Sequence, residues 1–156
     1  MKTFKSLLLL VLIFSVATVS GVKKPGKEKK TVQQKVESKD FTFYVDHCLP
    51  TDLVNSSFNS DVVIKIKDGI ATADLPFHGK LSVNPSEMTS GPITFNGPMY
   101  DVTFTQRGEK GWNILFKVDS DPYTYQVDMD ITSKGKAEVR VTSKKRTTMT
   151  YFGEID

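Results

Sequence analysis

Asp46-His47-Cys48 places a carboxylate, an imidazole and a thiol in three consecutive positions. A thiolate nucleophile with a histidine base is a known route to covalent catalysis. Extended backbone works against it here. Neighbouring residues on a strand face opposite sides, so His47 and Cys48 cannot meet on a regular strand. The second histidine, His78, lies in Leu75-Pro76-Phe77-His78-Gly79. Proline cannot sit in a central ladder and glycine suits a turn, so this stretch reads as the end of a strand. Pairing Cys48 with His78 would need a tertiary coincidence, and no nucleophile signature surrounds either residue. Asp128 and Asp130 share a strand face, about 7 Å apart from the two-residue rise. Such a pair suits acid–base work or calcium, and equally a solvated face. Asp119-Ser120-Asp121 has only a fragment of a calcium loop. Two histidines and one cysteine fall short of the four spaced ligands of structural zinc. There is no phosphate loop, nucleophile elbow or dinucleotide fingerprint. These residues point to no metal, no cofactor and no enzyme. The catalytic alternative is an envelope hydrolase that gathers Asp and His side chains in one pocket.

Aromatic residues form a second candidate set. Tyr100, Phe104, Trp112, Phe116, Tyr123 and Tyr125, with Tyr151, fall on positions expected to point inward. Two readings stay open. They form a packed core, or they line a partly open interior that binds a small hydrophobic or aromatic ligand. Buried phenol hydroxyls need partners in either case.

The elements that would carry these residues follow from a period of two. Val62, Ile64 and Ile66 alternate with charged residues, as do Trp112, Ile114, Phe116 and Val118 with polar ones. Tyr123, Tyr125, Val127, Met129 and Ile131 continue the pattern, followed by Ala137, Val139 and Val141. Each such run buries one face and wets the other. Glycine-bearing turns join the runs at Asp68-Gly69, between Arg107 and Gly111, and near Gly135. These gaps are too short for the crossover helices of parallel strands. The expected fold is all-β and mainly antiparallel: a meander-like barrel or two-layer sandwich of about eight to ten strands, with a short N-terminal helix.

The expected domain organisation has three parts. Residues 1–21 read as a secretory signal peptide: Lys2 and Lys5, then the apolar run LLLLVLIFSVA, then small residues to Gly21. The apolar run is shorter than the about 20 residues of a membrane span. Residues 22–40 are a basic tether or short helix, with Val32 and Val36 four apart on one face. Residues 41–156 form the β domain. Seven lysines against three acidic groups give residues 22–40 a net charge of +4, whereas twelve Lys/Arg against fifteen Asp/Glu leave residues 41–156 at −3. A nucleic-acid binder carries its basic patch on the folded surface, so no nucleic-acid partner is expected. After signal removal no transmembrane segment remains. A single cysteine, Cys48, allows no internal disulfide, and burial is the usual fate of a free thiol.

Several segments together resemble a known family. They are the Lys/Gln-rich lead into Phe41-Thr42-Phe43, the hairpin ending in Leu75-Pro76-Phe77-His78-Gly79, and Gly91-Pro92-Ile93-Thr94-Phe95. The tail from Arg146 through Tyr151-Phe152-Gly153-Glu154-Ile155 fits the same pattern. Over roughly residues 30–156 the chain is similar to domain-of-unknown-function family 4251, secreted proteins of gut and oral Bacteroidetes. The resemblance implies an exported, mostly β protein and carries no assigned chemistry. His78 stands where other members often have another residue type, which counts against a catalytic role. The expectation is a periplasmic or secreted envelope protein, a non-catalytic binding or interaction module. Its partner would be a small apolar ligand or another envelope protein.

Overall fold

The computed structural model describes residues 30–49, 61–78 and 91–156. The expected signal peptide and the first residues of the lysine-rich segment lie outside the described residues, as does the stretch from Gly79 to Ser90.

Nine strands are formed among the described residues: β1 (Phe41–Leu49), β2 (Val63–Lys67), β3 (Ile70–Leu75), β4 (Ile93–Pro98), β5 (Tyr100–Gln106), β6 (Gly111–Ser120), β7 (Tyr123–Thr132), β8 (Lys136–Ser143) and β9 (Arg146–Ile155). They make one antiparallel sheet in the order β4-β3-β2-β1-β9-β8-β7-β6-β5. The sheet curls until β4, at one edge, packs against β6 near the other. This is a nearly closed barrel rather than a sandwich. The period-two runs of the sequence appear as alternating burial. Trp112, Ile114, Phe116 and Val118 of β6 point in, beside Tyr125, Val127, Met129 and Ile131 of β7. Full burial of such side chains contributes about 1.5–3 kcal/mol each. The β2–β3 connection is the tight mirror-image turn that twisted hairpins favour, with Asp68 and Gly69 both at positive φ.

The helix α1 (Val32–Ser38) is docked rather than loosely tethered. Thr31 starts it with a capping box: its hydroxyl accepts from the Gln34 N–H at 3.2 Å, and Gln34 Oε1 accepts from the Thr31 N–H at 2.9 Å. Val36 is wholly buried and Val32 packs beside it on the core. Lys35 reaches Asp156 at 2.6 Å. Two valines suffice because the barrel end supplies the rest of the apolar surface. Among the described residues no helix is long and apolar enough to cross a membrane.

Two bulges re-aim side chains. Between Val45 and His47 the β1–β9 register slips by one residue, so Asp46 and His47 both face solvent while Cys48 turns inward. In β5 the register slips between Tyr100 and Thr103, with Asp101 at positive φ. Phe104 stays opposite Ile114 and faces the core, but Tyr100 is shifted to lie opposite Lys117. The inward placement expected for Tyr100 is therefore wrong: it is 38% exposed, as is Val102 at 40%. A bulge inserts one unpaired residue and exchanges the faces on its two sides, which strict alternation cannot anticipate.

Candidate functional site

Of the six aromatic residues singled out from sequence, Trp112, Phe116 and Tyr125 are core, at 5%, 0% and 1% exposure. Phe104 and Tyr123 are partly buried at its margin. Tyr151, also inward, is fully buried.

Three of the segments that carried the family resemblance, those holding Pro76-Phe77, Gly91-Pro92 and Arg146–Tyr151, meet in one network. The Tyr151 hydroxyl donates to the Pro76 carbonyl at 2.7 Å. Arg146, buried at the start of β9, lies over the Phe77 ring at 4.1 Å and the Tyr123 ring at 4.8 Å. It donates to the Tyr125 hydroxyl at 2.9 Å and to the Pro92 carbonyl at 3.2 Å, with the Gly91 carbonyl as a further acceptor. Burial raises the pKa of Tyr125, against the opposing pull of the guanidinium. Burial likewise drives the Tyr151 phenol far above its usual range. Both phenols are thus fixed as neutral hydroxyls within a structural network. Tyr151→Phe is expected to lower stability by about 0.5–1.5 kcal/mol, the net worth of one hydrogen bond. Urea denaturation measures it, and an unchanged midpoint would show that Pro76 does not depend on this bond.

The other sequence candidates do not assemble into a reactive centre. Cys48 is buried, and desolvation raises its pKa away from the thiolate. His47 stacks on Phe152 on the outer surface, with ring centroids 4.8 Å apart. His78 follows β3 in an irregular stretch and is half-buried. Asp128 and Asp130 share the outer face, where the Asn113 amide donates to both at 2.7 and 3.0 Å. Arg107 pairs with Asp130 at 2.6 Å, and Arg140 stands 4.0 Å from Asp128. Among the described residues no three His, Cys, Asp or Glu side chains gather so as to hold a metal ion.

A concave site does form where the β6–β7 and β8–β9 turns meet. It is a half-open cleft of about 420 Å³. Its floor is a cross-strand row on the outer face: Tyr100 opposite Lys117, Lys117 opposite Gln126, and Gln126 opposite Thr142. Directly opposed side chains lie within contact range, so register alone brings these four together. The turns add Pro122 and Tyr123 on one side and Ser143, Lys144 and Lys145 on the other. Asp119 braces the site from behind. Its Oδ1 accepts from Thr124 Oγ1 at 2.7 Å and from the Tyr100 hydroxyl at 2.8 Å. These bonds, that from Thr124 foremost, hold its carboxyl below the usual range. The same carboxylate keeps the Tyr100 phenol protonated. Asp101 fixes Lys117 at 2.8 Å and raises its pKa. Tyr100 and Tyr123 thus belong to the site, although Tyr100 reaches it from the outer face. Lys117, Lys144 and Lys145 escaped sequence reasoning, because a lysine on a wet strand face or in a turn gives no signal of its own. The bulge that turns Tyr100 toward them has no mark in residue types.

Comparison with curated proteins finds no match to the chain. Among solved structures it is similar to a crystal structure of a DUF4251 family protein from Bacteroides eggerthii, with a TM-score of 0.59. The two are 17% identical, and the match covers 77% of this chain and 80% of the other. That likeness shows a shared fold. The model of the family described as Domain of unknown function (DUF4251) matches residues 23–155, and the chain belongs to that family.

Proposed function

We propose that the protein is an exported, non-catalytic binding module that holds its ligand in the cleft between the β6–β7 and β8–β9 turns. The carrying observation is the composition of that cleft. Tyrosine rings, ammonium groups, hydroxyls and an amide converge on about 420 Å³ of concave surface, a volume in the range of small-molecule sites. The barrel below it gives a rigid platform, and the Asp119 brace limits the freedom of Tyr100. The interior aromatic residues act as core in this reading, so the ligand sits on the barrel rather than inside it. Export is supported by the order of residues 1–21.

The test is a panel of small polar and aromatic compounds added to isotope-labelled protein, with backbone amides followed by NMR. Binding compounds are expected to move the amides of Tyr123, Thr124, Thr142 and Ser143, and Tyr123→Ala is expected to abolish the effect. Shifts confined to Trp112 and Tyr125 would move the ligand to the interior and overturn the cleft reading. Turnover of a panel compound, lost on replacing an Asp or His, would restore the hydrolase alternative. Exported protein that still begins at Met1 would remove signal cleavage from the proposal.

A further inference from the structure

The cleft lining is one-sided in charge. It contains three lysines and no carboxylate, although residues 41–156 carry a net charge of −3. Lys117 is partly compensated by Asp101, which stands outside the lining. Lys144 and Lys145 differ. Among the described residues neither has an ion-pair partner, and they are adjacent on a two-residue turn at the rim. Two like charges side by side repel, and an incoming anion relieves that repulsion. Of the acidic groups near the cleft, Asp119 and Asp101 are engaged, and Asp121 of the β6–β7 turn stands outside the lining. Asp119 accepts two hydroxyl donors, and Asp101 faces Lys117.

A bare inorganic anion would leave most of the cleft empty. The remaining surface says what else should be attached. Tyr100, Tyr123 and Pro122 offer apolar faces on which a flat or puckered ring can lie. Thr124, Thr142, Ser143 and Gln126 offer hydrogen-bond donors and acceptors suited to a hydroxylated body. Resting on the cleft being the binding site, we infer that its ligand is an acidic sugar: a hydroxylated ring bearing a carboxylate, sulfate or phosphate group, with the charge directed to Lys144 and Lys145. The ring lies against the tyrosines, and its hydroxyls bond to the threonine, serine and glutamine side chains.

The experiment is an NMR titration of the intact folded protein with glucuronic acid, glucose 6-sulfate, glucose 6-phosphate, glucose and inorganic phosphate. The charged sugars are expected to move the amides of Tyr123, Thr124, Ser143 and Lys144, and to bind more tightly than glucose or phosphate. The affinity should fall as ionic strength rises from about 0.01 to about 0.15 M, where the screening length drops from about 30 to about 8 Å. The double substitution Lys144→Gln, Lys145→Gln is expected to weaken binding of the charged sugars by up to about tenfold, as loss of two exposed charge contacts should. Both side chains are exposed on a turn, so an unchanged thermal melt will show that the fold survives. Equal binding of glucose at the cleft would overturn the anion requirement while leaving the cleft as a binding site. Phosphate binding as tightly as glucose 6-phosphate would overturn the ring requirement. Charged-sugar binding that survives the double substitution would overturn the assignment of the anion to Lys144 and Lys145. Silence of the cleft amides toward every charged sugar would also overturn it, while the broader panel decides separately whether the cleft binds anything.

Discussion

Gly153→Ala is expected to destabilise the protein by more than about 3 kcal/mol, the upper end of ordinary overpacking penalties. Gly153 lies in β9 opposite Val45, where β1 begins its bulge. A Cβ there would collide with the carbonyl oxygen of Tyr44, and would stand 2.9 Å from its carbon and 3.2 Å from the Asp46 nitrogen. All three obstacles are backbone, so no rotamer change relieves them. The strands would have to part, and with them the β1–β9 pairing that links β1–β4 to β5–β9 in the sheet. Gly97→Ala is the control, because its nearest neighbours would stand 3.7 Å away. Urea denaturation of the two variants decides the matter. A Gly153→Ala midpoint equal to that of Gly97→Ala would mean that β1 and β9 are not so closely apposed.

Trp112→Ala is expected to cost about 3–5 kcal/mol, as removal of large aromatic core groups does. That is a large share of a small domain's total of about 5–15 kcal/mol. The indole is nearly fully buried, and its register neighbours are Gln106 on β5 and Ile131 on β7. Tyr100→Ala should by contrast cost far less, because the ring is exposed and gives up only a surface hydrogen bond to Asp119. Thermal melts with and without lipophilic compounds complete the test. A small loss at Trp112 with a clear rise in melting temperature on adding such a compound would reveal an open interior stabilised by mass action. The large loss without a ligand effect is the expected result.

The fold was legible because burial and chain geometry share a period. Ile70–Leu75 could be bounded to the residue: the Asp-Gly turn opens it, Pro76 closes it, and its small and β-branched residues alternate between. β6, β7 and β8 were equally clear, since long strands repeat the pattern enough times to fix their inward face. Barrel against sandwich was not legible. That choice depends on how far the sheet coils before its edges meet, which no single strand records. The site was legible only in part. Tyr123 sits beside the core as its place in the run suggests. Tyr100 is displaced by a bulge whose extra residue, Asp101, looks like any other polar position. The lysines gain meaning only through register, when Lys117 comes to lie beside Gln126 and the Lys144-Lys145 turn folds over the row. The motif residues proved structural: Tyr151, Gly153 and Arg146 hold strands and carbonyls in place.

The strand order has a kinetic consequence. Along the sheet, every neighbour is also a neighbour in sequence except at the β1–β9 seam. Thr42 and Asp156 close that seam with reciprocal backbone bonds of 3.0 and 2.8 Å. β5 to β9 can therefore zip up from short connections, on the microsecond scale of hairpin formation, whereas β1–β2 and β3–β4 close longer loops. The encounter of β1 with β9 comes with nearly the full loop entropy of the β domain. Pairings so distant in sequence are what slow the folding of β proteins. Gly153 and the Asp46 bulge stand on that seam, so a close backbone approach lies where the slowest contact must form.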